Sequence, residues 1–219
     1  MGMRLYEGWQ SGASWRVRWA LALKKVSYES VLLDLETGEH QTTLATKNPM
    51  RQVPTLELAD GLVLAESVAI IEWLEETRPS PPLLPEEPVS RAHVRELVQL
   101  VNAGIHPLQN RKVREAVSAD PEAKKRWCAR WIERGLAAYE ARIQHLAGRF
   151  SLGDGLTMAD LFLVPQVRTA KRFGADISSC ARVLAIYEAA IATPEARVTD
   201  PAEVRKRVEA GAIRIKVTC

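Results

Sequence analysis

The stretch "QSGASWRVR", Gln10 to Arg18, places Ser11 and Ser14 where a short apolar run hands over to a helical pattern. A helix start gathers unpaired backbone N–H groups and the positive end of the aligned peptide dipoles. A serine there caps those donors, and capping alone accounts for one of the two serines. The same geometry holds an anion or a thiolate, because a donated hydroxyl proton and the dipole both favour a negative sulfur. Two further stretches carry comparable alternatives. In "QVPT", Pro54 makes a rigid turn before an edge strand, or a cis Val53–Pro54 bond turns the Val53 N–H and C=O outward to pair with an extended ligand. In "AESVAI", Ser67 caps the next helix, or that helix start holds a ligand carboxylate while Glu66 receives an ammonium group. Together the three stretches suit a peptide-like ligand with a thiol, a backbone and a charged amino-acid end.

The elements that must position these residues follow from periodicity. Met3–Tyr6 reads as a strand, Ser14–Lys25 as a helix with Trp15, Trp19, Ala22 and Leu23 on one stripe, and Ser27–Leu33 as a second strand. Gly38–Thr46 reads as a short irregular helix. Thr55–Leu58 and Leu62–Leu64 flank Asp60-Gly61, a hairpin signal, and Glu66–Thr77 is helical. The order is β-α-β-α, then β-β-α. "RPSPPLLPEEP" follows, with five prolines between Arg78 and Pro88, which no helix or central strand accommodates. This divides the chain into a first domain over 1–80, a proline-stiffened linker over 81–88 and an all-helical domain over 89–219.

In that second domain Val94, Leu97, Val98, Val101, Ile105 and Leu108 recur at three and four residues, with Asn102, His106 and Asn110 on a neighbouring side. The apolar period runs through Pro107, which predicts one kinked helix rather than two. Pro121–His145 is a further helix. Thr157 and Asp160 form a capping box ahead of an apolar run that continues through Pro165. Val183–Ala192 makes another helix. Past Pro194 the alternation of Ile213, Ile215 and Val217 is strand-like but has no evident partner.

The chain has 219 residues, 47% hydrophobic and 26% charged, with a net charge of +3, so a globular protein of one large domain or two small ones is expected. The small positive excess is dispersed among alternating charges, which argues against a nucleic-acid surface and agrees with a local site for small anions. Cys128, Cys180 and Cys219 are far apart and form neither a redox pair nor a metal-ligand spacing. With no leader-like apolar stretch and no run of membrane-spanning length, a soluble cytoplasmic protein without a metal is the expectation.

Five stretches carry a resemblance in order and at natural spacing: "SGASWRVRWALALK", "NPMRQVPTLEL", "LAESVAIIEWLEETRP", "GIHPLQN" and "GDGLTMADLFLVPQV". From about Leu5 to Ile191 the chain resembles zeta-class glutathione transferases, and within them the maleylacetoacetate and maleylpyruvate isomerases. The resemblance implies an α/β thioredoxin-like N-terminal domain followed by an all-α C-terminal domain, glutathione as cofactor, and a homodimer. It implies cis–trans isomerisation of a maleyl-type diketo acid. Ser11 matches the family's thiolate-stabilising serine; Gln52, Val53, Pro54, Glu66, Ser67, His106 and Gln109 match glutathione contacts, with Pro54 cis. Asn110 matches a residue near the substrate, and Arg172 an arginine near the substrate carboxylates.

The departures concern the substrate. Gly12 and Ala13 stand where the family motif has a second serine and a cysteine, and Gln10 where an arginine precedes it. Arg111 and Lys112 replace leucine and arginine after Asn110, which leaves Lys112 as a basic substrate-side candidate beside Arg172. "SSCAR" replaces a proline-rich run. Two other functions therefore stand beside the isomerase: a glutathione transferase that conjugates or dehalogenates small electrophiles, and a glutathione-fold interaction protein without turnover.

Overall fold

In the computed structural model, which describes residues 2–210, the apolar run at the front of the chain forms strand β1 (Arg4–Glu7). Helix α1 (Gly12–Leu23) carries the chain across to β2 (Glu29–Leu32), which pairs parallel to β1 with Leu5 opposite Ser30. A parallel pair needs such a crossover. The short α2 (Glu39–Thr43) follows, then β3 (Thr55–Glu57), β4 (Val63–Ala65) and α3 (Ser67–Thr77). β3 runs antiparallel to both β1 and β4, so the sheet order is β2-β1-β3-β4. Gly61 turns the hairpin at φ 89°, a conformation that favours glycine. The sheet with its packed α1 and α3 is the thioredoxin-like arrangement.

The helical unit is built from α4 (Pro88–Asn102), α5 (Arg111–Val117), α6 (Pro121–Ile143), α7 (Met158–Phe173) and α8 (Ala181–Ile191). Pro88 and Pro121 each sit at a helix start, where a missing N–H costs nothing. Glu87 and Asp120 cap them by accepting two backbone N–H bonds each. α7 is buried on all sides from Met158 to Val167, with α4, α6 and α8 packed around it. The Thr157–Asp160 box starts it. Asp160, wholly buried, accepts from the Thr157 N–H at 2.8 Å, the Thr157 hydroxyl at 3.1 Å and the Ser151 N–H at 2.9 Å. Pro165 leaves α7 intact, and Gly174 ends it at φ 67°.

Two expectations are corrected. The kinked helix through Pro107 is absent: α4 stops at Asn102, a 3-10 turn covers His106–Gln109, and α5 begins at Arg111. At Gly104 the chain folds so closely over Leu100 that a Cβ would stand 2.6 Å from its carbonyl oxygen. Pro107 then opens the 3-10 turn without an N–H to continue the α ladder. The segment after Pro194 also differs from the expected domain. The described residues form two compact units: Pro82–Thr193 make the helical one, whereas residues from Pro194 onward join those up to Pro81. The expected strand at Ile213, Ile215 and Val217 lies outside the described residues.

The reason is visible on α1. Every residue from Ser14 to Leu21 is buried, including Arg16 and Arg18. α3 covers one side, and α9 (Pro194–Thr199), followed by α10 (Pro201–Glu209), covers another. The Arg18 guanidinium donates to Glu7 Oε2 at 2.6 Å and to the Thr199 carbonyl at 3.3 Å, and the Trp15 indole N–H donates to Thr199 Oγ1 at 3.2 Å. Ser30 donates to the other Glu7 oxygen at 2.6 Å. No helix among the described residues is long and apolar enough to cross a membrane. Arg18→Met leaves the buried Glu7 carboxylate without its cation; urea denaturation is expected to show a loss of about 3–5 kcal/mol.

Candidate active site

In the thioredoxin-like unit, Ser11 is the N-cap of α1. Its Oγ accepts the Ser14 N–H at 3.2 Å, which leaves its hydroxyl proton available to another acceptor. Ser14 is fully buried, and its Oγ accepts the Gly8 N–H at 3.3 Å, tying the β1–α1 loop. Of the two serines, Ser11 is therefore the one at the helix mouth. The Val53–Pro54 bond is cis. The carbonyl of Gln52 accepts from Asn48 Nδ2 at 2.9 Å and from Thr55 Oγ1 at 3.0 Å, which fixes the backbone entering that bond. Val53 packs on the cluster of Tyr6, Val31, Leu33 and Leu44.

Glu66 precedes α3 at φ 69° and ψ 120°, a strained conformation for a residue with a Cβ, and its side chain caps nothing. Ser67 is buried, and its Oγ accepts from Arg16 Nη1 at 3.3 Å. Burial lowers the Arg16 guanidinium to about 9, still above neutral pH, so a cation stands behind Ser67 and the α3 N-terminus. This arrangement fits a ligand carboxylate by two means: free helix-start N–H groups and a serine backed by positive charge.

In the helical unit, the 3-10 turn aims Gln109 at Gln166 on α7. The two carboxamides bond reciprocally at 3.0 and 3.1 Å, and Gln109 Nε2 lies 3.2 Å from His106 Nδ1. Asn110 precedes α5 without a side-chain cap bond. Lys112 is exposed, and Arg111 pairs with Glu115 at 3.0 Å. The basic group of α5 that gathers with Arg172 is Arg114, two residues beyond Lys112. Their guanidinium carbons lie 5.6 Å (Arg114) and 5.8 Å (Arg172) from the Phe173 ring centre. Burial pushes the neighbouring Cys128 thiol up, while both arginines draw it down.

The candidates thus fall in two sets. Ser11, Gln52, Val53, Pro54, Glu66 and Ser67 belong to the thioredoxin-like unit, and His106, Gln109, Asn110, Lys112 and Arg172 to the helical unit. A cavity of about 200 Å³ in the first unit, lined by Glu7, Arg18, Tyr28 and Arg207 among others, involves none of them. Among the described residues no group of three or more His, Cys, Asp or Glu converges on a metal site.

The glutathione S-transferase N-terminal domain family matches residues 10–77. Maleylacetoacetate isomerase of Mus musculus is 42% identical over 211 residues, covering 92% of this chain and 96% of the relative. The holo structure of maleyl pyruvate isomerase, described as a bacterial glutathione S-transferase of the zeta class, superposes with a TM-score of 0.86 at 41% identity, over 91% of this chain and 97% of that one. A maleylacetoacetate isomerase from Anaeromyxobacter dehalogenans 2CP-1, with dicarboxyethyl glutathione and citrate bound in its active site, gives 0.84 at 40% identity, covering 92% of each chain. The chain belongs to the zeta-class glutathione transferases, in the branch of the maleylacetoacetate and maleylpyruvate isomerases.

Within this zeta-class chain, sequence reasoning missed Arg16, Arg114 and Gln166. Arg16 carried no signal, since an arginine inside a helical pattern reads as solvent-facing. Gln166 sat in an apolar run of α7, and a carboxamide at such a position was the available hint of a buried partner. Arg114 gives no local signal, because it meets Phe173, 59 positions on, only once α5 and α7 have packed. Gln166→Leu removes one half of the reciprocal amide pair and leaves Gln109 buried without it. Thermal or urea unfolding of this zeta-class variant is expected to show a loss of about 1–3 kcal/mol.

Proposed function

We propose that this chain is a glutathione-dependent cis–trans isomerase of a maleyl-type diketo acid, maleylacetoacetate or maleylpyruvate. The observation that carries the reading is the pairing of a serine-capped, half-exposed α1 start with an α3 start that is backed by the buried Arg16. Glutathione, when bound, supplies the sulfur nucleophile that adds to the cis double bond and leaves it after rotation. Ser11 donates its hydroxyl proton to that sulfur and lowers its basicity, with the α1 N–H groups adding to the field. Ser67, with Arg16 behind it, and the α3 start hold the γ-glutamyl carboxylate; Glu66 receives the ammonium group. Val53 offers its backbone to the tripeptide, and Gln52 adds to its contacts. Arg172 binds substrate carboxylate, Asn110 and Lys112 standing on the same substrate side. The Anaeromyxobacter relative's bound dicarboxyethyl glutathione supports the same substrate class.

The assembly that accompanies this reading is a homodimer. A reducing, cytoplasmic setting agrees with Cys128 and Cys180, which are free and buried.

Ser11→Ala removes one hydrogen bond to a charged partner, worth about 1.5–3 kcal/mol. The rate at neutral pH is expected to fall about tenfold to a hundredfold, and the thiolate absorbance of bound glutathione to appear at higher pH. An unchanged titration would assign the stabilisation to the backbone N–H groups.

Conjugation of small electrophiles is the second reading, favoured by Gly12 and Ala13 in place of the family's serine and cysteine. Following maleylacetoacetate or maleylpyruvate and free thiol together separates the two. Isomerisation yields trans product with constant thiol. Stoichiometric thiol loss with an adduct and no trans product would overturn the isomerase.

A further inference from the structure

Arg114 has three features that set it apart from the other cations of the helical unit. Its Nε donates to the Gln109 carbonyl at 3.0 Å, so one donor is committed and the side chain is held in place. That carbonyl belongs to the residue whose carboxamide is locked to Gln166, which makes the anchor itself rigid. Its guanidinium lies over Phe173, the ring that Arg172 also approaches. Both guanidinium groups also stand near enough to Cys128 to draw its thiol down.

The charge count at this place is unbalanced. Arg111 is paired with Glu115, Arg142 with Glu96 and Lys171 with Glu188. Among the described residues neither Arg114 nor Arg172 has a carboxylate within ion-pair distance. Two positive charges held close together repel unless an anion joins them. Arg114 is half-buried, so water screens it less than a surface lysine. Its fork of two terminal nitrogens remains after Nε is committed, and such a fork matches a carboxylate in a bidentate manner.

We propose that Arg114 is a specificity-determining residue that forms, together with Arg172 beside Phe173, a two-guanidinium seat selecting doubly negative ligands. The inference rests on the isomerase reading for the identity of the natural ligand, a dicarboxylate. It assigns the selectivity to a residue outside the motif that the family resemblance singles out.

The test uses the full chain and two probes, malonate and acetate, titrated by calorimetry with and without glutathione. The wild-type chain is expected to prefer malonate. Arg114→Ala should weaken malonate about tenfold or more, the effect of losing a charge-assisted pair, and leave glutathione affinity within about twofold. Arg114→Lys should recover only part, because an ammonium keeps the charge and lacks the fork. In the double variant with Arg172→Ala, the loss should be smaller than the product of the two single losses, as for groups acting on one ligand charge. Wild-type malonate affinity in Arg114→Ala overturns the seat, as does an equal loss for glutathione. Should Arg114→Ala unfold, Arg114→Lys decides: unchanged malonate affinity overturns the proposal, and a selective loss supports it. A chain that binds malonate through Arg114 yet isomerises neither substrate would overturn the functional reading and leave the seat standing.

Discussion

Helix α1 has no water-facing side between Ser14 and Leu21, so its two arginines must be neutralised or hydrogen-bonded by the protein itself. A buried charge is tolerated only with partners of good geometry. Arg18 meets that demand with Glu7 from β1 and the carbonyl of Thr199 from α9, while Ser30 from β2 holds the far oxygen of Glu7. One ion pair therefore joins two strands, the first helix and the segment after Pro194. The same burial places Arg16 against Ser67 and links α1 to the start of α3. Ser11 and Ser67, two of the candidate ligand-binding residues of this unit, stand at the starts of the helices that these two guanidinium groups tie in place.

Among the described residues, the helical unit is held by hydrogen bonds to buried side chains rather than by a buried ion pair. Asp160 gathers three donors from the loop before α7 and thereby starts a helix buried on every side. Burial raises the Asp160 carboxyl, and the bonds from Ser151 and Thr157 oppose that rise. Further along α7, Gln166 reaches Gln109 in the 3-10 turn, and Gln109 in turn anchors Arg114. The polar chain from α7 to α5 is continuous, so the placement of Arg114 is a consequence of how the central helix is packed.

Pro107 and Pro165 show how local context changes the effect of one residue type. Both interrupt an apolar period. Pro165 is held within a helix surrounded by α4, α6 and α8, whose packing sustains the helix despite one lost N–H bond. Pro107 follows Gly104 at a close backbone approach, and there the helix ends. The outcome moves His106 and Asn110 off a shared helix face. His106 sits in the 3-10 turn beside Gln109, and Asn110 stands at the head of α5.

By itself the sequence determined the β-α-β-α-β-β-α order, the change to helices after the proline-rich stretch, and the capping box at Thr157 and Asp160. These depend on periods of two or 3.6 residues and on capping and turn residues, which act over a few positions. It also marked Ser11, Val53, Pro54, Glu66 and Ser67 as a set, because their motifs lie at element starts. Tertiary structure alone decided which serine stands at the helix mouth, since Ser14 differs from Ser11 only in what covers it. It alone decided that Arg16 and Arg18 are interior, because a helix covered by α3 and α9 loses the polar face that its pattern suggests. The return of residues after Pro194 to the first unit, and the meeting of Arg114 with Arg172 on Phe173, join positions far apart in the chain. No local period encodes such contacts. They follow from burial and charge pairing, which exist only once the elements have packed.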